Sequence, residues 1–166
     1  MSQDKIVTTE IEFARRNWMA EHLRSYLQSG GAAGHIVDLR AIGGHAFTTT
    51  LLLRTVGRRS KEVRLAPLIY GDIGGEVVIV ASKGGADVHP AWYVNLKSSP
   101  EVGFQIGCQA YAATWREPQG AERGAIWAFM EKAYPPYTEY QRATQRTIPL
   151  VMLSPRNSIE VFRESE

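Results

Sequence analysis

The sequence predicts a mainly β, α+β fold in which short antiparallel strands form a small closed or split barrel with helices on its outside. Strand-like runs recur along the chain, glycine-rich turns separate them, and helical periodicity falls in other segments. Closing the sheet removes exposed strand edges. With 166 residues the chain fits a single domain, 1–166, in which the barrel spans about 36–155.

Seven strand patterns carry the prediction of a barrel. Gly43-Gly44, the segment 57–61 and the segment 71–75 provide turns between them. Pro67 lies inside a strand pattern, which favours a sheet edge or a bulge, and the last strand is expected to end before Pro155. The predicted strands are residues 36–40, 46–56, 63–70, 76–81, 102–106, 111–115 and 148–153.

Helical patterns precede and interrupt the strands. An amphipathic helix is predicted over about residues 8–29 and stops at Gly30-Gly31. A short helix follows over about 90–98, a longer one over about 119–133, and a helical turn carries Tyr140. The side chains expected to face inward from the longer helix are Ile126, Trp127, Phe129 and Met130.

Basic residues are concentrated in one segment although the formal net charge is only +2. A local basic patch on a nearly neutral protein favours a small anionic ligand. Nucleic acid is not expected as a partner, because it needs a wider basic stripe and exposed stacking aromatics. The crowded residues, opposed by the single acid Glu62, are Arg54, Arg58, Arg59, Lys61 and Arg64.

Other kinds of site find little support. The single cysteine, Cys108, excludes an internal disulfide, and the four histidines fall on separate elements without a second ligand at metal-binding spacing. No metal site is therefore predicted. There is no Gly-X-Ser-X-Gly elbow for a serine nucleophile. The absence of a long apolar run and of a secretory pattern predicts a cytoplasmic protein.

The stretch Ser82-Lys83-Gly84-Gly85 follows a strand of β-branched residues and is the first candidate binding element. Its glycines allow backbone angles that leave successive N–H groups pointing outward, and such a concavity suits an anion. The next helix carries Trp92 and Asn95 at i, i+3 spacing, on one face. Alternatively, the stretch is an ordinary exposed turn and Trp92 is a core anchor.

Three tyrosines form the second candidate element. Tyr134, Tyr137 and Tyr140 recur every three residues and would share one face of a helical turn. A phenol has a pKa of about 10, so it is neutral near pH 7 and can donate a proton or a hydrogen bond to charge developing on a substrate oxygen. Alternatively, the tyrosines only close the barrel mouth.

Three groups of residues occur in a characteristic order between about residues 20 and 155. They are 53–60 with Arg64 and Pro67-Leu68, then 80–85 with 89–96, then 137–141 with Thr144, Arg146 and Ile148-Pro149. As a set they resemble the deazaflavin-dependent nitroreductase family. The resemblance implies a split β-barrel of the flavin-binding (FMN-binding split-barrel) type that holds the deazaflavin coenzyme F420.

The resemblance also implies roles for individual residues. Those implied to bind the coenzyme are Arg58, Arg59, Ser60, Arg64, Pro67, Ala81, Ser82, Lys83, Gly84, Gly85, Trp92 and Asn95. Those implied to border the substrate pocket are Tyr134, Tyr137 and Tyr140. Tyr137 is expected to be the leading proton or hydrogen-bond donor, with Tyr140 and Ser82 orienting the reactants.

The expected function is an F420H2-dependent reductase that passes a hydride to an electron-poor small molecule such as a quinone, an enone or an activated nitro compound. One alternative is an FMN-dependent reductase of the same fold, although the long basic turn favours the longer anionic portion of F420. A second is a non-catalytic F420 carrier. A homodimer is compatible with such a barrel, and a quinone substrate would favour peripheral membrane contact.

Overall fold

The computed structural model describes residues 19–164. Helix α1 occupies residues 19–28 and ends just before Gly30-Gly31, as predicted, whereas positions 8–18 of the predicted first helix lie outside the described residues. The remaining helices and strands are β1 (Ile36–Val37), β2 (Thr48–Val56), β3 (Val63–Ile73), β4 (Glu76–Val80), α2 (Ala91–Ser98), β5 (Val102–Ile106), β6 (Gln109–Arg116), α3 (Gly120–Ala133), α4 (Pro136–Arg142) and β7 (Leu150–Ile159).

Six antiparallel strands close into a barrel in the order β2-β3-β4-β7-β6-β5. Closure comes from β5, which pairs with β2 in a register that sets Leu53 opposite Phe104. The two-residue strand β1 pairs with the first residues of β2. This architecture confirms the predicted antiparallel split β-barrel with flanking helices.

Alternate residues of β4 and β7 face two different hydrophobic cores. Val77 and Ile79 point into the barrel interior, whereas Val78 and Met152 point outward and are covered by side chains of α3 and α4. The strand period of two explains this division. A slip of one residue would exchange the two faces, so the β4–β7 register determines which surface the outer helices cover.

Helix α2 closes one end of the barrel. Trp92, Tyr93 and Leu96 are buried and pack against the interior core, which includes Leu51 and Phe104. α2 begins six residues after the turn over Lys83–Gly85, which itself follows β4.

Strand β3 changes its partners along its length. Residues 63–69 pair with β2, and only 70–73 pair with β4. Among residues 19–164, therefore, no strand pairs with the other edge of 63–69, which runs past the end of β4. Pro67 lies in this stretch, which confirms the prediction that it occupies an edge.

The strand predicted over 36–40 is wrong beyond Val37. The Asp38 carboxylate accepts hydrogen bonds from the backbone N–H of Arg40, at 3.1 Å, and from its guanidinium, at 2.7 Å. These local bonds compete with strand pairing, and the chain continues as a 3-10 turn over Arg40–Ile42.

The last strand continues through Pro155, which corrects the prediction that it ends before this residue. β7 pairs with β4 only as far as Leu153, so in the described chain its later residues have β6 as their one strand neighbour. The β6–β7 register also shifts between Ala112 and Ala113, opposite Pro155. Edges and register irregularities are the places where a strand tolerates proline.

The inward face predicted for α3 is right for Ile126 and Met130, which are buried, and for the half-buried Trp127. It is wrong for Phe129, whose exposed fraction is 45%. Ile126 and Met130 lie four residues apart and centre the buried stripe, so Phe129 falls on its flank. There it lies against Gly71, where an added Cβ would come within 2.9 Å of its ring.

Candidate functional site

An open pocket of about 500 Å³ lies between the turn after β2, the first half of β3 and helix α2. Half of the residues predicted to bind a coenzyme line it: Arg58, Arg59, Ser60, Arg64, Trp92 and Asn95. Trp92 belongs to the interior core and also lines the pocket. Its role as a core anchor is therefore compatible with its predicted place in a binding site.

The basic turn is closed by its own backbone. The N–H of Gly57 donates to the carbonyl of Glu62 at 2.8 Å, and the N–H of Lys61 donates to the carbonyl of Gly57 at 2.9 Å. Lys61 has a φ of 62°, which is unusual for a side chain other than glycine. A Cβ at Gly57 would lie 2.5 Å from the hydroxyl oxygen of Ser60, so a larger residue there would force the Ser60 side chain to move.

Asn95 connects helix α2 to this turn. Its side-chain oxygen accepts a hydrogen bond from the backbone N–H of Arg58 at 3.2 Å, and the residue is only 8% exposed. The sequence placed Asn95 in the cleft but did not predict this bond. No local pattern signals a contact between residues 37 positions apart.

The pocket presents unneutralised positive charge. In the described part of the chain, the guanidinium groups of Arg58 and Arg59 form no ion pair with a carboxylate. Arg64 pairs with Glu62 at 3.3 Å, but both side chains are more than half exposed. Such exposed pairs are weak. The turn can therefore attract an anion without first breaking a strong internal interaction.

The turn after β4 forms a second anion-binding geometry. Ser82 has right-handed helical angles (φ −80°, ψ −37°), and Lys83 and Gly84 have φ values of 45° and 63°. A right-handed residue followed by left-handed residues directs successive N–H groups into one concavity, called a nest. The predicted positive φ at Gly84 and Gly85 is confirmed, and the sequence did not predict the same conformation at Lys83.

The N–H groups of this nest are available. Within residues 19–164, the backbone N–H groups of Ser82, Lys83 and Gly84 donate to no protein acceptor. The next two do: the N–H of Gly85 donates to the Ser82 carbonyl at 2.9 Å, and that of Ala86 to the Lys83 carbonyl at 3.2 Å. These two bonds maintain the turn and leave three consecutive donors for a ligand.

The nest lies against α4, the helix that carries two of the tyrosines. A Cβ at Gly85 would come within 2.8 Å of the Tyr140 carbonyl oxygen and 3.1 Å of the Ala143 Cβ. Gly85 also has a φ of 85°. Only glycine satisfies both conditions without displacement.

The three tyrosines form one aromatic cluster. The ring centroids of Tyr134 and Tyr137 are 4.9 Å apart, and Tyr140 lies 6.1 Å from Tyr137 and 6.2 Å from Tyr134. The hydroxyl oxygens of Tyr134 and Tyr140 are 3.3 Å apart. The cluster packs on the outer face of the sheet, in the core beneath α3 and α4, so the alternative that it closes the barrel mouth is wrong.

Tyr137 combines a buried ring with an available hydroxyl group. The residue is 4% exposed, and burial, followed by the neighbouring phenols of Tyr134 and Tyr140, raises its pKa above the usual value of 10.0. Its hydroxyl has no hydrogen-bond partner in the described chain, where no fully buried side-chain polar atom is left unpaired. Because its pKa is raised, the hydroxyl is protonated near neutral pH.

Strand β3 connects the arginine pocket to the strand that leads into the nest. Neither Pro67 nor Ala81 to Gly85 lines the pocket, and the tyrosines do not line it either. Leu65 and Ala66 of β3 line the pocket, and Tyr70, four residues further along the same strand, pairs with Ile79 of the strand that leads into the nest. Pro67 directly follows the pocket-lining residue Ala66.

None of the helices within residues 19–164 is both long enough and apolar enough to cross a lipid bilayer.

Comparisons with known proteins agree with one another. A family model described as F420H(2)-dependent quinone reductase matches residues 18–155. An F420H(2)-dependent quinone reductase of Mycobacterium tuberculosis is 36% identical over 138 residues, which cover 81% of this chain and 88% of the relative.

Two solved structures are similar in sequence and in fold. An F420-H2 dependent reductase (FDR-A) is 40% identical, with a TM-score of 0.59, over 63% of this chain and 93% of its own. A structure described as a domain-swapped dimer is 35% identical, with a TM-score of 0.61, over 84% of this chain and 99% of its own.

Proposed function

The chain belongs to the F420H(2)-dependent quinone reductase family, and from that membership we propose that it is an enzyme that uses reduced coenzyme F420 to reduce a quinone by hydride transfer. One structural observation carries the proposal beyond membership. The pocket holds two arginines without carboxylate partners in the described chain, and the nest after β4, the strand that pairs with β3, offers three free backbone N–H groups. Enones and activated nitro compounds are further acceptors of the same electron-poor class.

The residues present suit the coenzyme. F420 carries a phosphodiester and an oligoglutamate tail on a flat heterocycle. The guanidinium groups of Arg58, Arg59 and Arg64 match phosphate and carboxylate oxygens, with which they can form paired hydrogen bonds. The nest of Ser82 to Gly84 would receive another electronegative oxygen of the coenzyme, with the Lys83 ammonium beside it. Trp92 offers an aromatic wall at the pocket.

The protein must also deliver a proton. When bound, the reduced coenzyme supplies a hydride, so one further proton must reach the quinone for the hydroquinone to form. The Tyr137 hydroxyl is the proposed donor because it is protonated and has no partner within residues 19–164. Its raised pKa makes it a weak acid, so its main contribution is a hydrogen bond to the oxygen on which negative charge develops. Tyr140 and Ser82 orient the acceptor.

A titration of the purified protein with F420, and separately with FMN, tests the choice of coenzyme. We expect saturable binding of F420 and much weaker binding of FMN, whose anionic portion is shorter. Equal or tighter binding of FMN would contradict the proposal. Turnover of reduced F420 with a series of quinones, enones and nitro compounds then distinguishes an enzyme from a carrier, because a carrier binds the coenzyme without oxidising it.

A homodimer is the expected assembly, since a relative of 35% identity is described as a domain-swapped dimer. Light scattering coupled to size-exclusion chromatography measures this directly. A mass of 18.5 kDa at all concentrations would contradict it.

A further inference from the structure

Arg146 lies directly behind the nest. Its Nε donates to the Ala86 carbonyl at 2.7 Å, and its Nη2 donates to the Ser82 carbonyl at 2.8 Å. Both Nη atoms lie 3.2 Å from the Ala81 carbonyl oxygen. One guanidinium thus binds three carbonyl groups of a single turn.

This arrangement determines which way the turn presents its polar groups. In a tight turn, carbonyls drawn to one side leave the N–H groups on the other. The carbonyls of Ala81, Ser82 and Ala86 are directed to Arg146, and the free N–H groups belong to the residues between them. A planar guanidinium can hold three acceptors in fixed directions, which a single ammonium cannot.

The backbone of Arg146 is held in place by polar side chains, and its guanidinium has one further contact. The N–H of Arg146 donates to the Thr144 hydroxyl at 3.3 Å, and this hydroxyl donates to the Asp87 carboxylate at 2.9 Å. Gln141 of α4 donates to the Arg146 carbonyl at 2.8 Å. The Nη1 of Arg146 also lies 3.0 Å from the Nδ1 of His89. These contacts already restrict Arg146, so less conformational entropy is lost when its side chain binds the three carbonyls.

The charge of Arg146 is not cancelled by an ion pair. In the described chain Arg146 forms no salt bridge; the carboxylate of Asp87, which accepts from Thr144, acts on it only at longer range, and burial lowers the pKa of Arg146 more than Asp87 raises it. Its positive charge therefore adds to the potential at the nest, on the side away from the ligand.

We propose that Arg146 is a positioning residue that holds the turn from Ala81 to Ala86 in the conformation that exposes its N–H groups to the coenzyme, without contacting the coenzyme itself. This inference rests on the proposed function for the identity of the ligand. It does not rest on that function for the conformation of the turn, which can be measured without any ligand.

The first measurement is amide hydrogen exchange of the coenzyme-free protein, compared between the wild type, Arg146→Gln and Arg146→Lys. We expect faster exchange at Gly85 and Ala86, whose N–H groups are bonded inside the turn, and unchanged exchange in the barrel strands. Arg142→Gln is the matched control, because Arg142 is exposed and pairs only with Glu139.

The second measurement is coenzyme affinity and turnover in the same proteins. Loss of the preorganised turn should raise the dissociation constant for F420 about tenfold or more in Arg146→Gln. The KM for reduced F420 should rise while kcat at saturating coenzyme stays close to that of the wild type. Arg146→Lys keeps the charge but not the planar fork, so it should resemble Arg146→Gln.

Each outcome decides between defined possibilities. Unchanged exchange at Gly85 and Ala86 in both variants would overturn the inference, and so would full affinity in Arg146→Lys, which would reduce the role to charge alone. Faster exchange throughout the barrel with a lower Tm would also overturn it, in favour of a general structural brace. A wild-type protein that does not bind F420 refutes the proposed function, and the exchange data then still decide the role of Arg146.

Discussion

The side-chain oxygen of Asn95 accepts a hydrogen bond from the backbone N–H of Arg58 across 3.2 Å, which ties the helix that closes the barrel to the basic turn at its rim. Because Asn95 is buried against the interior core, this bond transmits the rigidity of the core to a turn that is otherwise solvent-exposed. The position of the arginines in the pocket therefore depends on α2 as well as on the hairpin that carries them.

Asn95→Ala should weaken both the fold and coenzyme binding. Without the acceptor, the Arg58 N–H must hydrogen-bond to water instead, which lowers the free energy of unfolding by about 1 kcal/mol. Urea denaturation measures this cost, and a titration with F420 measures the loss of affinity. Asn95→Asp retains an oxygen acceptor and is the matched control for stability only, because its negative charge would itself repel an anion from the pocket. An equal loss of stability in the two variants would disprove the role of the bond.

Arg59→Ala and Lys83→Ala should each weaken F420 binding by about 1 to 3 kcal/mol, if each makes a charge-assisted hydrogen bond. The loss should shrink at high salt, since screening weakens the interaction in the wild type as well. Calorimetric titration at two salt concentrations provides the measurement. Arg142→Ala removes a positive charge on the exposed side of α4 and should have no effect. Wild-type affinity in both site variants would remove these residues from the binding site.

Tyr137→Phe should lower kcat about 10-fold to 100-fold while leaving the affinity for F420 nearly intact, because it removes a donor needed only as the acceptor is reduced. Tyr140→Phe should have a smaller effect, since its hydroxyl is close to that of Tyr134. Steady-state kinetics with a quinone checks both. Tyr111→Phe is the control, as its hydroxyl donates to Gln109 on an exposed strand. A change in affinity alone for Tyr137→Phe would refute its role as donor.

Gly85→Ala should destabilise the protein by about 1 to 3 kcal/mol and weaken coenzyme binding. The new Cβ would meet the Tyr140 carbonyl oxygen at 2.8 Å, and φ is 85° at this position, so the nest must move away from α4. Gly124→Ala is the control: a Cβ there meets nothing within 4 Å, and alanine is the better helix former in α3. Thermal unfolding of the two variants should therefore shift in opposite directions.

The stability of the protein should rise with pH through the range in which His89 loses its proton. Burial, followed by the positive charges of Arg146 and Lys97, lowers the pKa of His89 below 6.5, while Glu117 opposes the shift. Because the folded protein favours the neutral ring, this contribution is complete above the unfolded pKa and is lost as the pH falls towards the lower folded value. Urea denaturation between about pH 7.5 and about pH 5 should show it. His89→Gln should flatten this slope, and an unchanged slope would exclude His89 as its origin.

Local sequence patterns predict most of the strands of the barrel because each depends on residues that are neighbours in the chain. Alternation in β4 and the glycines of the hairpin turns do not need tertiary contacts to be interpreted. The errors arose where a distant partner or a side chain changed the outcome. Pro155 remains in a strand because the pairing of β7 with β4 stops at Leu153, so no β4 residue needs its missing N–H. Phe129 is exposed because the buried stripe of α3 is centred on Ile126 and Met130.

By itself, the sequence determined the chemistry of this protein: a basic hairpin, a glycine turn with a lysine, and tyrosines spaced for one helical face. Each of these is a short-range property, set by residue type and by backbone angles within a few positions. Only the tertiary structure decided that Asn95 holds the basic turn, that Arg146 lies behind the nest, and that the tyrosines pack outside the barrel. These relationships join residues far apart in the chain, and they exist only because barrel closure and strand register bring them within hydrogen-bond distance.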